Sequence, residues 1–221
     1  MNEFVNMFSD SDPSSIATSV KLLLLLTVLS LAPSILILMT SFTRIIIVLS
    51  FVRTSLATQS MPPNQVLIGL ALFLTFFIMA PTFNEVNEEA LQPLFAEEIT
   101  LDEAYDRASA PMKDFMSAHT RQKDLALFMN YAEMEKPETV QDIPMTTLIP
   151  AYAISELKTA FQMGFMIFVP FLIIDMAVAS VLMSMGMMML PPVMISLPFK
   201  ILLFVLVDGW YLIAHSLLDG F

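Results

Sequence analysis

Four long apolar segments, at about residues 22–42, 66–83, 161–183 and 193–218, constrain the fold of this chain more than any other feature. Each meets or approaches the roughly 20 residues that a helix needs to cross the hydrocarbon core of a bilayer. Because 57% of the 221 residues are hydrophobic and only 14% are charged, the chain holds more apolar surface than one soluble domain of this size can bury. The sequence therefore predicts an all-α membrane protein.

Prolines interrupt or border these apolar segments. They are Pro33, Pro81, Pro170, Pro191, Pro192 and Pro198. Each removes a backbone N–H and disrupts a helix, and free backbone groups at membrane depth must be covered by protein or line a cavity. We therefore expect bent or broken helices packed in an assembly, and not four straight independent spans.

An acidic segment separates the second apolar segment from the third. Residues 84–147 hold 14 of the 21 carboxylates but 5 of the 10 lysines and arginines. A soluble acidic segment thus interrupts a hydrophobic protein. We accordingly divide the chain into a tail with a first apolar helical hairpin (1–83), the acidic helical segment (84–149) and a second apolar helical hairpin (150–221).

The acidic segment has a helical pattern. Thr100 and Glu103 have the spacing of a capping box. Apolar residues then recur at helical spacing over three stretches, 101–108, 112–119 and 125–132. We expect short amphipathic helices, with Pro111 in the first turn of the second one. Another helix is expected to start near Pro150 and to continue into the third apolar segment.

The basic residues predict an orientation in the membrane. The tail before Lys21 carries only acidic charges, whereas Arg44 and Arg53 lie at the short connection after the first apolar segment. Under the positive-inside rule this connection is cytoplasmic, so the tail and the acidic segment are expected on the outer side. The acidic start of the chain is also unlike the basic start of a secretory signal.

Several classes of function are not supported by the composition. The chain has no cysteine and two histidines, so neither a disulfide framework nor a Cys/His metal site is expected. A net charge of −11 argues against nucleic acid as a partner, because phosphate binding needs a basic patch. No glycine-rich phosphate loop and no nucleophile with a basic partner is present, so we expect neither an enzyme nor a cofactor.

Charged residues lie within or beside the last two apolar segments. They are Glu156, Lys158, Asp175, Lys200 and Asp208. A charge at membrane depth is costly and normally faces a partner or a water-filled path. One hypothesis is a proton-coupled transporter or ion channel with Asp175, Lys200 and Asp208 as its relay. The alternative, which the available opposite signs favour, is a set of ion pairs that fix helix register and subunit contacts.

Five methionines cluster between the third and fourth apolar segments, in the run 183–192. At its centre lie Met187, Met188 and Met189, with Gly186 on one side and Pro191 and Pro192 on the other. Methionine is unbranched and polarizable, so a cluster of it forms a surface that deforms around whatever presses on it. Such a surface is suited to sealing a passage, although a lone methionine stripe would be ordinary filler between helices.

Longer motifs carry a resemblance to a known family. They lie at 42–65, 150–161, 175–183, 186–192, 198–200 and 208–210. Together they resemble the export-gate proteins of type III secretion, the FliP/SctR family, over almost the whole chain. The double proline after the methionines and the Leu-Pro-Phe-Lys motif at 197–200 are more similar to the flagellar FliP branch than to the injectisome SctR branch.

The resemblance implies a function that composition does not give. Members of the family form a pentameric ring that joins FliQ and FliR in the cytoplasmic membrane at the flagellar basal body, and exported flagellar polypeptides pass through it. FlhB and FlhA are further components of that apparatus. The family's methionine gasket corresponds to Met187, Met188 and Met189, and its charged contacts correspond to Glu156, Lys158 and Lys200, with Asp175 as an addition. A scaffold that only anchors other subunits is a third possibility.

Overall fold

The computed structural model describes residues 22–23, 26–27, 30, 33–58, 60–134, 137–187 and 189–221. Two compact units divide the chain at Ile37 and Leu38. In the first unit the described residues are helical. The second unit, Leu38–Phe221, contains all the elements named below.

The second unit is built of helices, and no strand occurs among the residues that the structure describes. The helices are α1 (Phe42–Ser55), α2 (Asn64–Val86), α3 (Gln92–Phe95), α4 (Leu101–His119), α5 (Gln122–Tyr131), α6 (Met145–Ser184), α7 (Pro192–Leu206) and α8 (Gly209–Leu218). A π-helical turn, Asn87–Leu91, joins α2 to α3, and a 3₁₀ turn, Val140–Asp142, precedes α6. The predicted all-α fold is confirmed.

The central element is α6, which is 40 residues long. It packs against α1, α4, α5 and α7, while α2 packs against α1 and α4. On α1, Ile45, Val48, Leu49 and Val52 lie at helical spacing and are completely or almost completely buried. Near the C-terminal end of α1, Gly164 of α6 allows a close approach, because a Cβ there would lie 2.4 Å from the Phe51 ring.

A hydrophobic cluster joins the acidic segment to the start of α6. Its buried members are Met116, Ile143, Leu148 and Tyr152. Polar contacts strengthen the same junction, since the Ser155 hydroxyl donates to Asp124 over 2.7 Å and accepts from the Arg121 backbone N–H over 3.0 Å. Contacts from α4 and α5 therefore fix the position of α6 before its most apolar part begins.

Two helices are long and apolar enough to cross a membrane, Asn64–Phe95 and Met145–Ser184. Among the described residues up to four spans result if two interrupted helix pairs each count as one. These pairs are Pro33–Met39 with Phe42–Ser55, and Pro192–Leu206 with Gly209–Leu218. The second, third and fourth predicted apolar segments thus coincide with helices, and the described residues of the first, 22–42, are helical up to Met39, while residues 24–25, 28–29 and 31–32 lie outside the described residues.

Pro111 does not start a new helix, so the prediction of separate helices on either side of it is wrong. A single helix, α4, runs through Pro111, which is buried. The capping box at Thr100 and Glu103 is present at its start. The missing N–H of proline costs a helix one hydrogen bond, and packing of α4 against α6 and the 3₁₀ turn offsets that cost.

The start of α6 also differs from the prediction. The helix begins at Met145 after Pro144, and Pro150 and Pro170 both lie inside it. Likewise α2 continues through Pro81 and α7 through Pro198. Helices α2 and α6 run across the predicted boundaries at 83/84 and 149/150, which remain divisions by composition only.

The break between α7 and α8 lies at Asp208 and not at a proline. Asp208 has a φ of +51°, and the two helices meet at an angle of 61°. The next residue is Gly209, where a Cβ would lie 2.3 Å from the Phe204 ring. That ring contacts Trp210 edge-on at 5.3 Å. Asp208 in the left-handed conformation, followed by Gly209, therefore bends the last apolar segment, in place of the expected proline kink.

Candidate functional site: the methionine loop and two buried ion pairs

The methionine loop, residues 185–191, begins with a Schellman motif at the end of α6. The Met187 N–H donates to the Leu182 carbonyl over 3.0 Å, and the Gly186 N–H donates to the Met183 carbonyl over 3.0 Å. Gly186 has a φ of +74°, the left-handed conformation that this motif requires and that glycine adopts without strain. Gly186 thus ends α6 and sends the chain into the loop.

The two prolines at the other end of the loop start α7. Pro191 precedes the helix in an extended conformation, and Pro192 is its first helical residue. Proline suits that position because the first helical N–H has no intrahelical partner. The loop is therefore held by a glycine that stops one helix and by prolines that begin the next.

The described methionines in and beside the loop differ in exposure. Met187 is half-buried, whereas the side chain of Met189 is 97% exposed. Met183 and Met185 beside them are also exposed. Met188, the third residue of the predicted gasket, lies outside the described residues. The loop therefore presents large, flexible apolar side chains at the tip of the α6–α7 hairpin.

An ion pair joins α6 to α7 behind this loop. The Lys200 Nζ donates to Asp175 Oδ2 over 2.6 Å, and the Ser196 hydroxyl donates to Asp175 Oδ1 over 2.5 Å. Lys200 is only 2% exposed and Asp175 is 20% exposed. The two opposite charges therefore lie in contact between two helices, which is the geometry of the ion-pair hypothesis.

A second ion pair joins α1 to α6. The Arg44 guanidinium binds both carboxylate oxygens of Glu156: Nε donates to Oε2 over 2.8 Å and Nη2 donates to Oε1. Glu156 is fully buried and Arg44 is 4% exposed. Bidentate pairing of this kind is the strongest form of charge-assisted hydrogen bond and fixes the relative orientation of both helices. Arg44, which the sequence placed just before a cytoplasmic connection, lies inside the protein.

The other two predicted charge contacts are absent from the described part of the chain. Lys158 is exposed and forms no ion pair with a described residue. Asp208 is exposed, and its side chain forms no capping bond to α8. Neither residue lies in the two buried pairs.

The two histidines have no arrangement suited to metal binding. His119 Nδ1 donates to the Phe115 carbonyl over 2.8 Å, and its ring packs against Phe115 and Phe221. His215 is exposed and lies 2.7 Å from Asp219. No group of three or more metal-ligating side chains occurs among the described residues.

Carboxylates at two helix starts in the acidic segment have lowered pKa values. The Thr100 backbone N–H and hydroxyl bind Glu103 and lower the pKa of that carboxyl. The Thr139 hydroxyl and backbone N–H likewise lower the pKa of Asp142. Both carboxyls stay ionised at neutral pH and fix the starts of α4 and of the 3₁₀ turn.

Three residues of the site were missed by sequence reasoning. They are Arg44, the partner of Glu156; Ser196, which binds Asp175; and Phe221, whose ring lies against Arg44. An arginine in an otherwise apolar stretch was a visible signal that a buried carboxylate should be sought. Ser196 and Phe221 gave no such signal, because serine and phenylalanine are ordinary residues in apolar helices.

Comparison with known proteins agrees with the resemblance found in the motifs. The FliP family model matches residues 25–217. The chain is 79% identical to flagellar biosynthetic protein FliP of Bacillus subtilis (strain 168) over 221 residues, covering 100% of both chains. It is 55% identical to flagellar biosynthetic protein FliP of Pectobacterium carotovorum subsp. carotovorum over 92% of this chain and 79% of that one. For the Aquifex aeolicus (strain VF5) relative of the same name, identity is 51% over 94% and 87%. The chain therefore belongs to the FliP family.

Proposed function

We propose that this protein is a channel subunit of the flagellar type III protein export gate. Five copies form a ring in the cytoplasmic membrane at the flagellar basal body, as a multi-pass component that joins FliQ and FliR. FlhA and FlhB adjoin this core, and unfolded flagellar polypeptides pass through it. The observation that carries the proposal is the 79% identity, over the full length of both chains, to a flagellar biosynthetic protein FliP.

In this proposal the methionine loop closes the channel. The loops of several copies meet on the axis of the ring, where methionine side chains fill the opening and yield to a passing chain. The fixed ends of the loop support this role, because Gly186 and Pro192 set where two helices stop and start while Met189 between them is exposed. The acidic segment lies on the outer side of the membrane.

The proposed subunit conducts a polypeptide and performs no chemistry of its own. A competing function is a proton-coupled transporter or ion channel that uses Asp175, Lys200 and Asp208. Pairing of Asp175 with Lys200 at 2.6 Å speaks against it, since each charge is already satisfied by the other. The buried pairs instead serve to fix helices, as a ring subunit requires.

Stoichiometry tests the ring directly. The chain is co-expressed with FliQ and FliR, extracted in mild detergent and analysed by native mass spectrometry. We expect a complex that contains five copies of this chain. A monomer as the only species, under conditions in which FliQ and FliR are present in the extract, would contradict the proposal.

Ion leakage tests the methionine loop. Replacing Met187, Met188 and Met189 together with alanine removes the deformable side chains that fill the opening. We expect complexes to assemble in normal amounts while the membranes that contain them become permeable to small ions. Leucine at the same three positions keeps most of the volume and should leak less than alanine.

A matched control uses methionines outside the loop. Met166, Met176 and Met194 are also exposed, but they lie within α6 and α7. Their joint replacement with alanine should leave permeability unchanged. Equal leakage from both triple variants, or none from either in assembled complexes, would contradict the placement of the loop in the channel.

A further inference from the structure

Arg44 contacts more of the protein than its ion pair with Glu156. Its Nη1 donates to the Gly220 carbonyl over 2.6 Å, and the face of the guanidinium lies 3.7 Å from the centre of the Phe221 ring. The Nε and Nη2 groups of Arg44 therefore bind Glu156 of α6. Nη1 and the face of the guanidinium bind Gly220 and Phe221 in the segment after α8. Arg44 itself belongs to α1, so a single side chain joins three parts of the chain.

Aromatic rings complete the surroundings of Phe221. Its ring stacks on Phe115, with centroids 6.1 Å apart and planes 12° apart, and packs against His119 at 5.0 Å. Phe115 and His119 lie one turn apart at the end of α4, with ring centroids 4.8 Å apart, and the hydrogen bond from His119 Nδ1 to the Phe115 carbonyl holds the imidazole in place. Arg44, Phe115 and His119 thus form a binding site for an aromatic ring, with a cation over that ring and a donor for the preceding carbonyl.

We propose that Gly220 and Phe221 are a latch that closes on this socket of Arg44, Phe115 and His119. The latch attaches the end of α8 to α1, through Arg44, and to α4, through Phe115 and His119. Gly220 permits the close approach, because a Cβ there would lie 3.2 Å from Arg44 Nη1. This assignment concerns how α8 is held, and it does not depend on the proposed export function.

The latch has a structural consequence for the methionine loop. The loop leads into α7, and α7 is fixed near its middle by the pair of Lys200 with Asp175. Because of the bend at Asp208, α8 is a separate helical segment that does not continue the axis of α7. Leu217, near the end of α8, is fully buried. The Lys200–Asp175 pair therefore holds α7, and the latch holds the end of α8, so both helices that follow the loop are attached to the rest of the protein.

Hydrogen–deuterium exchange of the full chain in detergent tests the latch. Phe221→Ala removes the ring while Arg44 keeps both hydrogen bonds to Glu156, so the α1–α6 pair stays intact. We expect a loss of protection on the order of tenfold in the amides of the last turn of α8, as removal of a partly buried cation–π contact implies. Protection of α1 and of the centre of α6 should stay at the level of the unchanged chain.

Two further variants make the result specific. Phe221→Tyr keeps the stacked ring and should retain the protection. Tyr211→Ala removes an exposed aromatic ring from the same helix, where it contacts only His215 among the aromatic side chains described, and should also retain it. The latch is overturned if Phe221→Ala leaves exchange of α8 unchanged, if Tyr211→Ala loosens α8 equally, or if protection falls throughout the chain.

Discussion

Replacing Lys200 with methionine should destabilise the protein, and replacing its partner as well should restore most of the stability. Methionine has nearly the length and volume of the lysine stem, so Lys200→Met removes the charge and little else. Asp175 then stays beside α7 with the Ser196 hydroxyl as its remaining partner. In the double variant Asp175→Asn with Lys200→Met, no charge remains and the amide oxygen of asparagine can still accept from Ser196.

The expected magnitudes follow from burial. Breaking a fully buried ion pair by removing one partner costs about 3–5 kcal/mol, because the other charge is left without compensation. Lys200 is 2% exposed, but Asp175 is 20% exposed and keeps one hydrogen bond, so water reaches the carboxylate in part. We therefore expect about 2–3 kcal/mol for Lys200→Met. The double variant should lie within about 1 kcal/mol of the unchanged chain, since neutral replacements of a buried pair are often tolerated.

Reversible denaturant unfolding in detergent, followed by circular dichroism, gives four free energies of unfolding: those of the unchanged chain, of Lys200→Met, of Asp175→Asn and of the double variant. Their combination gives a coupling free energy, for which we expect about 2 kcal/mol. If Lys200→Met and the double variant are equally unstable, the pair does not act as a structural unit. Motility then separates the two functional hypotheses: a structural pair predicts that a stable double variant swims, whereas a relay predicts that it is stable but inactive.

Two other predictions concern packing and pH. Gly164→Ala should destabilise the chain by about 1–3 kcal/mol, because the new Cβ would overlap the Phe51 ring. In the same unfolding experiment Gly69→Ala, in open space on α2, should be neutral or stabilising by up to about 1 kcal/mol. Equal effects of the two substitutions would refute the close approach of α6 to Phe51. The Thr100 cap lowers the pKa of Glu103 in the folded chain. The stability that ionised Glu103 contributes is therefore complete above about pH 4.3 and is lost as pH falls through the lowered pKa. In a plot of the thermal unfolding midpoint against pH, Glu103→Gln should accordingly show a shallower decrease on the acid side. An identical acid limb in both proteins would contradict this.

Much of the fold could be predicted from local sequence. Apolar runs of membrane length predicted α2, the apolar part of α6 and the α7–α8 pair, and the Thr100–Glu103 spacing located the start of α4. These features depend on neighbouring residues only, which is why they can be read from the chain. The position of Gly186 beside the end of an apolar run likewise marked the loop that follows.

Features that depend on distant residues could not be predicted. The Arg44–Glu156 pair joins residues 112 positions apart, and nothing in either neighbourhood specifies the other. The prolines were misleading for a related reason. Pro111 and Pro170 both lie inside continuous helices, and at Pro111, which is buried, the packing of α4 that supports the helix is invisible in a local pattern. The bend of the last segment instead lies at Asp208, before Gly209, and not at the prolines on which the prediction of bends rested.

The radius of the channel at the methionine loop, measured by electron cryomicroscopy of the assembled ring with FliQ and FliR, tests the proposed function most directly. We predict that Met187 and Met189 side chains from the five copies converge on the ring axis and leave no continuous path wide enough for a hydrated ion. A ring in which these loops face lipid, or in which the axis at their level is open in the absence of a passing chain, would contradict the proposal.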